Sequence, residues 1–256
     1  MIAQLTWNQL QEETIYWLCS DYDVCVSEDF KTLSALPDLL KHEKKFIKYF
    51  DLHFYNNLAD DPPNYCRIKV DEAITQKQPN LLKAVKRLMS KFISVNDEKL
   101  SFTELAYFIH LLADLHQPFH RKNKKIIVIL VNFYNNLVTD YDRGGINRKL
   151  CDKNLGTCWS LHALWDAEIL KLVNENKMFS FLDSEDNISF EVKDWAMELN
   201  QYICKIYDYP DSFGIEEYVD KFKLTALFLV GKAANNTAAV LNSNFKTPRQ
   251  NLENDF

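Results

Sequence analysis

Two short segments of this 256-residue chain carry histidine and aspartate at helical spacing. The first contains His110, Asp114 and His120, and the second contains His162 and Asp166. Both include the pattern His-x-x-x-Asp, which puts an imidazole and a carboxylate on one helix face about one turn apart. These two groups are natural zinc ligands. Because the flanking residues are largely apolar, and a buried charge is costly unless it is paired or binds a metal, we interpret the pairs as two halves of a metal site. The competing interpretation is a set of core histidines hydrogen-bonded to aspartates on the same helix.

A third candidate for this site is His53, in the aromatic segment Phe50-Asp51-Leu52-His53-Phe54. A lone histidine among aromatic residues is usually an ordinary core or surface residue. Asp38 adds a carboxylate fifteen positions earlier, near the start of a predicted helix. We interpret the two residues as an extension of the metal site.

Helices must position these residues, because apolar side chains recur at helical spacing along most of the chain. The pattern predicts helices over residues 3–18, 31–50, 68–94, 102–117, 160–176, 190–208 and 216–242. Pro37 suits the first turn of a helix that begins there, and Pro118 should end or kink the 102–117 helix near Gln117. The predicted core face of the 68–94 helix consists of Leu81, Leu82, Val85, Leu88, Met89 and Phe92.

The remaining segments are shorter and do not change the fold class. Composition predicts a loop over residues 60–64 and a turn at 143–145, whereas 126–138 is compatible with either a strand or a helix. With 5 Gly and 7 Pro, the chain has little material for a many-turned β-sandwich. No linker or shift in composition divides it. We therefore predict an all-α protein with a single mainly helical domain spanning residues 1–256.

Composition also limits the classes of function. A hydrophobic fraction of 47% excludes a disordered or low-complexity chain. A net charge of −6 argues against a broadly basic nucleic-acid scaffold, although a metal site can still bind phosphate locally. The longest uninterrupted apolar run is Ile126–Val131, and residues 1–7 do not resemble a signal peptide. We expect no membrane insertion and no obligate protein partner.

The six cysteines allow two interpretations. The short separations Cys19/Cys25 and Cys151/Cys158 suit disulfides, which would leave Cys66 and Cys204 as a third pair. Six buried thiols in a cytosolic protein are the alternative. Spacing alone does not decide between them.

The combined motifs resemble a known family. His110-x-x-x-Asp114-x-His-Gln-Pro-x-His120, followed by Leu161-His162-x-x-Trp165-Asp166, is similar to the zinc-dependent single-strand nucleases of the S-one/P-one and mung-bean type. This family belongs to the helical superfamily of the zinc phospholipases C. Weaker pieces of the resemblance are Leu36-Pro37-Asp38, Leu52-His53-Phe54, Gly144-Gly145, Val230-Gly231-Lys232 and Ala238–Asn242.

The resemblance implies roles for individual residues. One zinc would be held by Asp38, His53, His110 and Asp114, and a second by His120, His162 and Asp166. Asp114 would also bridge to a third zinc, and His116 would lie outside the metal shell. Phe54 resembles the nucleobase-stacking aromatic of the family, and Lys41 stands where an arginine usually contacts the phosphate. Asp38, Lys41 and Asp114 are therefore the expected catalytic residues.

The resemblance further implies an activity and a setting. Single-stranded DNA or RNA, or nucleotides, would be hydrolysed to 5′-phosphate products in the catabolism of nucleic acids, with 3′-nucleotidase activity as a further possibility. The enzyme would be secreted or periplasmic. A phospholipase-C-like phosphodiesterase remains an alternative, as does a metal- or nucleotide-binding protein that has lost turnover.

The sequence departs from the family pattern at its beginning. The third zinc of the family is completed by an N-terminal Trp and a His five residues on, and this chain has no histidine before His42. We expect that Met1 is an internal methionine of a precursor carrying a signal peptide and the missing ligands. Three zincs are expected from the family and two from the chain as it stands. Lys41 in place of arginine, Ala113 in place of glycine and the apolar run within 121–143 are smaller departures.

Overall fold

A computed structural model gives the fold of this protein. It describes residues 1–40, 43, 52–53, 55–57, 70–75, 77, 79–94, 99–123, 145–146, 148–153, 155–169, 171, 190–210 and 212–246. The first helices are α1 (Ile2–Trp7), α2 (Glu12–Tyr22), α3 (Ser27–Leu40), α4 (Val70–Thr75), α5 (Leu81–Ile93) and α6 (Phe102–Leu115). They are followed by α7 (Leu161–Ala163), α8 (Val192–Tyr207) and α9 (Ile215–Lys246). The described chain is mainly helical, which confirms the predicted fold class.

Helices α5 and α6 form where the sequence predicts them, and side-chain caps mark their starts. The Asn80 side chain accepts a hydrogen bond from Lys83 N, and Ser101 and Glu104 form a reciprocal capping box at α6. All six residues of the predicted α5 core face are buried. Helix α6 ends at Leu115, two residues before the position expected from Pro118.

Three predicted boundaries are wrong, two of them because of tertiary contacts. Pro37 does not begin a helix but lies inside α3, ten residues after its start at Ser27. The 68–94 helix is interrupted between α4 and α5, where Asn80 both caps α5 and donates to Ala73 O. The 3–18 helix is interrupted between α1 and α2, because Asn242 accepts hydrogen bonds from Gln11 N and Thr14 Oγ1 and donates to Gln9 O.

Two small sheets complete the described elements. Strands β1 (Tyr55–Asn57) and β2 (Arg121–Asn123) are parallel, with Tyr55 opposite Arg121. Strands β3 (Lys149–Cys151) and β4 (Cys158–Ser160) are antiparallel. The first sheet begins just after two of the predicted ligands, His53 and His120, and therefore brings together two segments that are far apart in sequence.

The core has two parts. One packs α3, α5 and α6 around Leu33, Leu88 and Phe108, and the other surrounds Phe119 and Tyr218 between α7, α8 and α9. Within α9, Ile215–Ser243 is long and apolar enough to cross a bilayer by length and composition. Some 67% of its apolar window is buried inside the protein, as in the core helix of a globular fold. The expectation of no membrane insertion stays a prediction.

Disulfides join Cys19 to Cys25 and Cys151 to Cys158, as the first interpretation of the cysteines predicts. The second bridge links the facing ends of β3 and β4, directly before the helix that carries His162. Disulfides persist in oxidising surroundings, so these two fit an extracellular protein. The third pair falls on Cys66 and the Cys204 side chain, which lie outside the described residues.

Candidate metal centre

The first group of ligand-type side chains consists of Asp38, His53 and His110, which come from three separate segments. One donor atom from each lies within 4.8 Å of the others. His110 Nε2 is 3.2 Å from His53 Nδ1 and 3.9 Å from Asp38 Oδ2. Asp38 is half exposed, whereas both histidines are buried. The group therefore has two histidines held in the interior and one carboxylate facing solvent.

The second group consists of His120, His162 and Asp166, again with donor atoms within 4.8 Å of one another. His162 Nε2 is 3.2 Å from Asp166 Oδ2, and His120 Nε2 is 3.6 Å from Asp166 Oδ1. The two imidazole rings are stacked with centroids 5.2 Å apart. Beyond α7 the chain forms a π-helical turn over Leu164–Glu168, a geometry frequent at functional sites.

Asp114 lies between the two groups. Its Oδ2 is 2.8 Å from His53 Nδ1 and 3.2 Å from His110 Nε2, while its Oδ1 is 3.3 Å from His120 Nδ1. One buried carboxylate therefore faces the first group with one oxygen and the second group with the other. The expected i,i+4 pairs, His110 with Asp114 and His162 with Asp166, are both present.

The clustered charges shift the protonation of the metal-free site. Burial alone lowers the pKa of His120, but the carboxylates of Asp114 and Asp166 outweigh it and raise the pKa to about 10. Burial also opposes the charged form of His110, yet Asp114 and Asp38 raise its pKa. For Asp114, burial is again outweighed, and His110 and His120 hold its pKa well below the usual range. The pKa of Asp166 is likewise lowered by His120 and His162 against the effect of burial.

The donor set fits divalent zinc on two observations. His110 Nδ1 donates to the carbonyl oxygen of Ser34 at 2.8 Å, which leaves Nε2 facing the carboxylates of Asp114 and Asp38. An imidazole oriented by a backbone carbonyl through its second nitrogen is the usual arrangement of a metal-bound histidine. In addition, His53 Nδ1 lies 2.8 Å from Asp114 Oδ2 and 3.2 Å from His110 Nε2, so two imidazole nitrogens and a carboxylate oxygen meet in the interior. A divalent cation can be held between such donors.

His116 differs from the other motif histidines because its hydrogen bonds go to Leu112 and Asn236, which belong to neither group. Nδ1 donates to Leu112 O at 2.8 Å, and Nε2 accepts from Asn236 Nδ2 at 2.8 Å. These bonds join the end of α6 to α9. The arrangement agrees with the expectation that His116 lies outside the metal shell.

Several residues at this centre escape the sequence argument. The Ser34 carbonyl orients His110, and Tyr107 packs against His53 with ring centroids 6.4 Å apart. Gln117 donates to Asp166 Oδ1 at 2.6 Å. The sequence does hold a signal for Gln117, because it lies between His116 and Pro118 in the His-Gln-Pro motif and the motif gives its amide no role. The predicted substrate contacts Lys41 and Phe54 lie outside the described residues.

Gly145 lies where this centre leaves no room for a side chain. Its φ of +79° favours glycine, and an added Cβ would stand 2.6 Å from Phe119 Cδ1. Phe119 precedes the candidate ligand His120, and the Gly145 carbonyl is the acceptor for His162 N. The glycine therefore permits close approach of the two segments that carry the second group.

We expect Gly145→Ala to destabilise the fold more than Gly156→Ala. Gly156 has a similar φ of +66°, but nothing lies within 4 Å of its added Cβ. The backbone strain is therefore similar in the two variants. The difference between their free energies of unfolding then reports overpacking against Phe119, for which we expect about 1–3 kcal/mol. Urea denaturation of both variants measures it. Equal free energies of unfolding would contradict this account of Gly145.

Comparison with known proteins gives one consistent result. The family model described as S1/P1 Nuclease matches residues 1–246. Nuclease S1 of Aspergillus oryzae is 21% identical over 286 residues, an alignment that covers 94% of this chain and 93% of the relative. The family match includes every described element that contributes to the two groups.

Proposed function

Because the chain belongs to the S1/P1 nuclease family, we propose that it hydrolyses phosphodiester bonds of single-stranded nucleic acid at the two His/Asp groups. Members of this zinc-dependent family are hydrolases that act on phosphoester bonds. The observation that carries the proposal is Asp114, whose two oxygens face the two groups separately. A shared carboxylate suits neighbouring metal ions acting on one phosphate.

The assignment of ligands follows the two clusters. Asp38, His53, His110 and Asp114 would hold one zinc, and His120, His162 and Asp166 would hold a second. Asp114 would also bridge to a third zinc, if further ligands complete that site. The proximity of donor atoms within each cluster supports this division.

When bound, zinc supplies Lewis-acid stabilisation of phosphoryl oxygens and lowers the pKa of a coordinated water. The protein residues orient the side chains that would bind the metal. Ser34 O fixes the ring of His110 through Nδ1, so that Nε2 stays directed at Asp114. Stacking holds His120 and His162 parallel, with an interplanar angle of 2°. Asp38, half exposed at the edge of the first group, is placed to meet an entering substrate.

Substrate contacts beyond the metal groups are proposed from the family resemblance. Lys41 would contact the phosphate as a single point charge, since lysine lacks the bidentate geometry of arginine. Phe54 would stack on a nucleobase, a contact that tolerates any sequence. Cleavage of the P–O3′ bond would leave a 5′-phosphate, and the same centre would act on 3′-nucleotides. The two disulfides support secretion of the enzyme.

A strand-selectivity assay tests the proposed function. We expect the zinc-loaded protein to degrade a single-stranded oligonucleotide and to leave the matched duplex largely intact. Hydrolysis of a phosphatidylcholine analogue with no effect on either oligonucleotide would support a phospholipase-C-like enzyme instead. Zinc binding without any turnover would support the interpretation as a binding protein.

A further inference from the structure

Gln117 stands out among the buried and half-buried polar groups because its side chain joins the two segments that carry the second group. Its Nε2 donates to Asp166 Oδ1 at 2.6 Å. Its Oε1 accepts a hydrogen bond from Phe119 N, one residue before His120. A single amide thus connects the turn after α6 to a carboxylate 49 residues later.

We propose that Gln117 is a positioning residue that orients Asp166 for metal binding through Oδ2. The inference rests on the proposed zinc site. Oδ1 is engaged by the Gln117 amide, whereas Oδ2 lies 3.2 Å from His162 Nε2 within the second group. Asp166 is about two-fifths exposed, and the Gln117 amide adds a restraint to the contacts that its carboxylate makes with His120 and His162.

The chemistry of the side chain explains why an amide occupies this position. An amide both donates and accepts, so one side chain satisfies the Asp166 oxygen and the Phe119 N–H at once. A glutamate of the same length keeps the acceptor for Phe119 but has no donor for Asp166 when ionised. A methionine of similar shape has neither. The two substitutions therefore separate the role in the turn from the role at the carboxylate.

The backbone ties the same residue to the bridging carboxylate. Gln117 N donates to Asp114 O, and His120 N donates to Gln117 O. Gln117 thus lies at the junction of three ligand residues, Asp114, His120 and Asp166. Its main chain holds Asp114 and His120 in one turn, and its side chain binds Asp166.

Zinc affinity of Gln117→Glu and Gln117→Met tests the proposal. We expect one class of zinc to bind about 10- to 100-fold more weakly in both variants, as is typical when an outer partner of a metal ligand is lost. Competition with a chromophoric chelator measures this affinity, and metal counts show how many ions remain. Because Glu keeps the bond to Phe119, the metal-free Gln117→Glu protein should unfold at a temperature near that of the wild type.

The matched control is Gln201→Glu, the same change on the exposed face of α8. It should leave the zinc affinity unchanged. Wild-type zinc affinity in Gln117→Glu would overturn the positioning role, whether or not Gln117→Met binds zinc more weakly. Gln117 would then have a role in the turn alone. A wild-type protein that binds no zinc would instead contradict the proposed function.

Discussion

We expect replacement of Asp114 by asparagine to lower nuclease activity by well over about 100-fold. The buried carboxylate faces His53 and His110 with one oxygen and His120 with the other, so the substitution removes a charge from both groups at once. Even the loss of an outer partner of a metal ligand costs about 10- to 100-fold, and Asp114 is proposed as a ligand itself. Initial rates on a single-stranded oligonucleotide at saturating zinc give the measurement.

Asp220→Asn is the matched control for this change. Asp220 is largely exposed and pairs with Lys223 on the surface of α9, where such pairs contribute little to stability. It should retain the wild-type rate. Circular dichroism of Asp114→Asn shows whether the helices remain, and an intact fold with an unchanged rate would remove Asp114 from the centre.

Removing zinc with a chelator should abolish activity and lower the melting temperature by about 8–16 °C relative to protein with free zinc at 1000 times its dissociation constant. Binding to the native state alone gives about 4 kcal/mol at that ratio, and each kcal/mol shifts the melting temperature by about 2–4 °C in a chain of this size. Calorimetry with and without added zinc measures the shift. Restored activity on adding zinc back distinguishes metal loss from irreversible unfolding.

The same zinc titration has a defined pH dependence. The carboxylates around His120 raise its pKa to about 10, so this imidazole carries a proton at pH 8 in the metal-free protein. Zinc needs the neutral imidazole, and its binding should therefore release that proton. Titration calorimetry at pH 8 in two buffers of different ionisation enthalpy measures the release. Apparent zinc affinity should rise with pH up to about 10, and an affinity independent of pH would contradict the assignment of His120.

The sequence predicts local features of this fold well because they depend on neighbouring residues. The apolar face of α5 and the helical pairs His110–Asp114 and His162–Asp166 need only the helical period. Features set by distant residues are different. Asn242 breaks the helix predicted over 3–18 from more than two hundred residues away, and no local pattern shows it.

The candidate site divides in the same way. Ligand types and spacings are visible in the chain, and the family resemblance groups them by metal. The hydrogen bond from Gln117 to Asp166 and the close contact of Gly145 with Phe119 depend on tertiary structure. Pro37 illustrates the limit of a local rule. Proline favours the first turn of a helix, but here the helix begins at Ser27 and Pro37 is buried within it.

The shared carboxylate of Asp114 has a thermodynamic consequence. Its two oxygens serve different groups, so an ion at one group changes the charge that the other group offers to its own ion. With zinc bound as proposed, occupancy at one group would therefore be energetically coupled to occupancy at the other. By linkage, whatever factor the first ion contributes to the affinity for the second, the second contributes to the first.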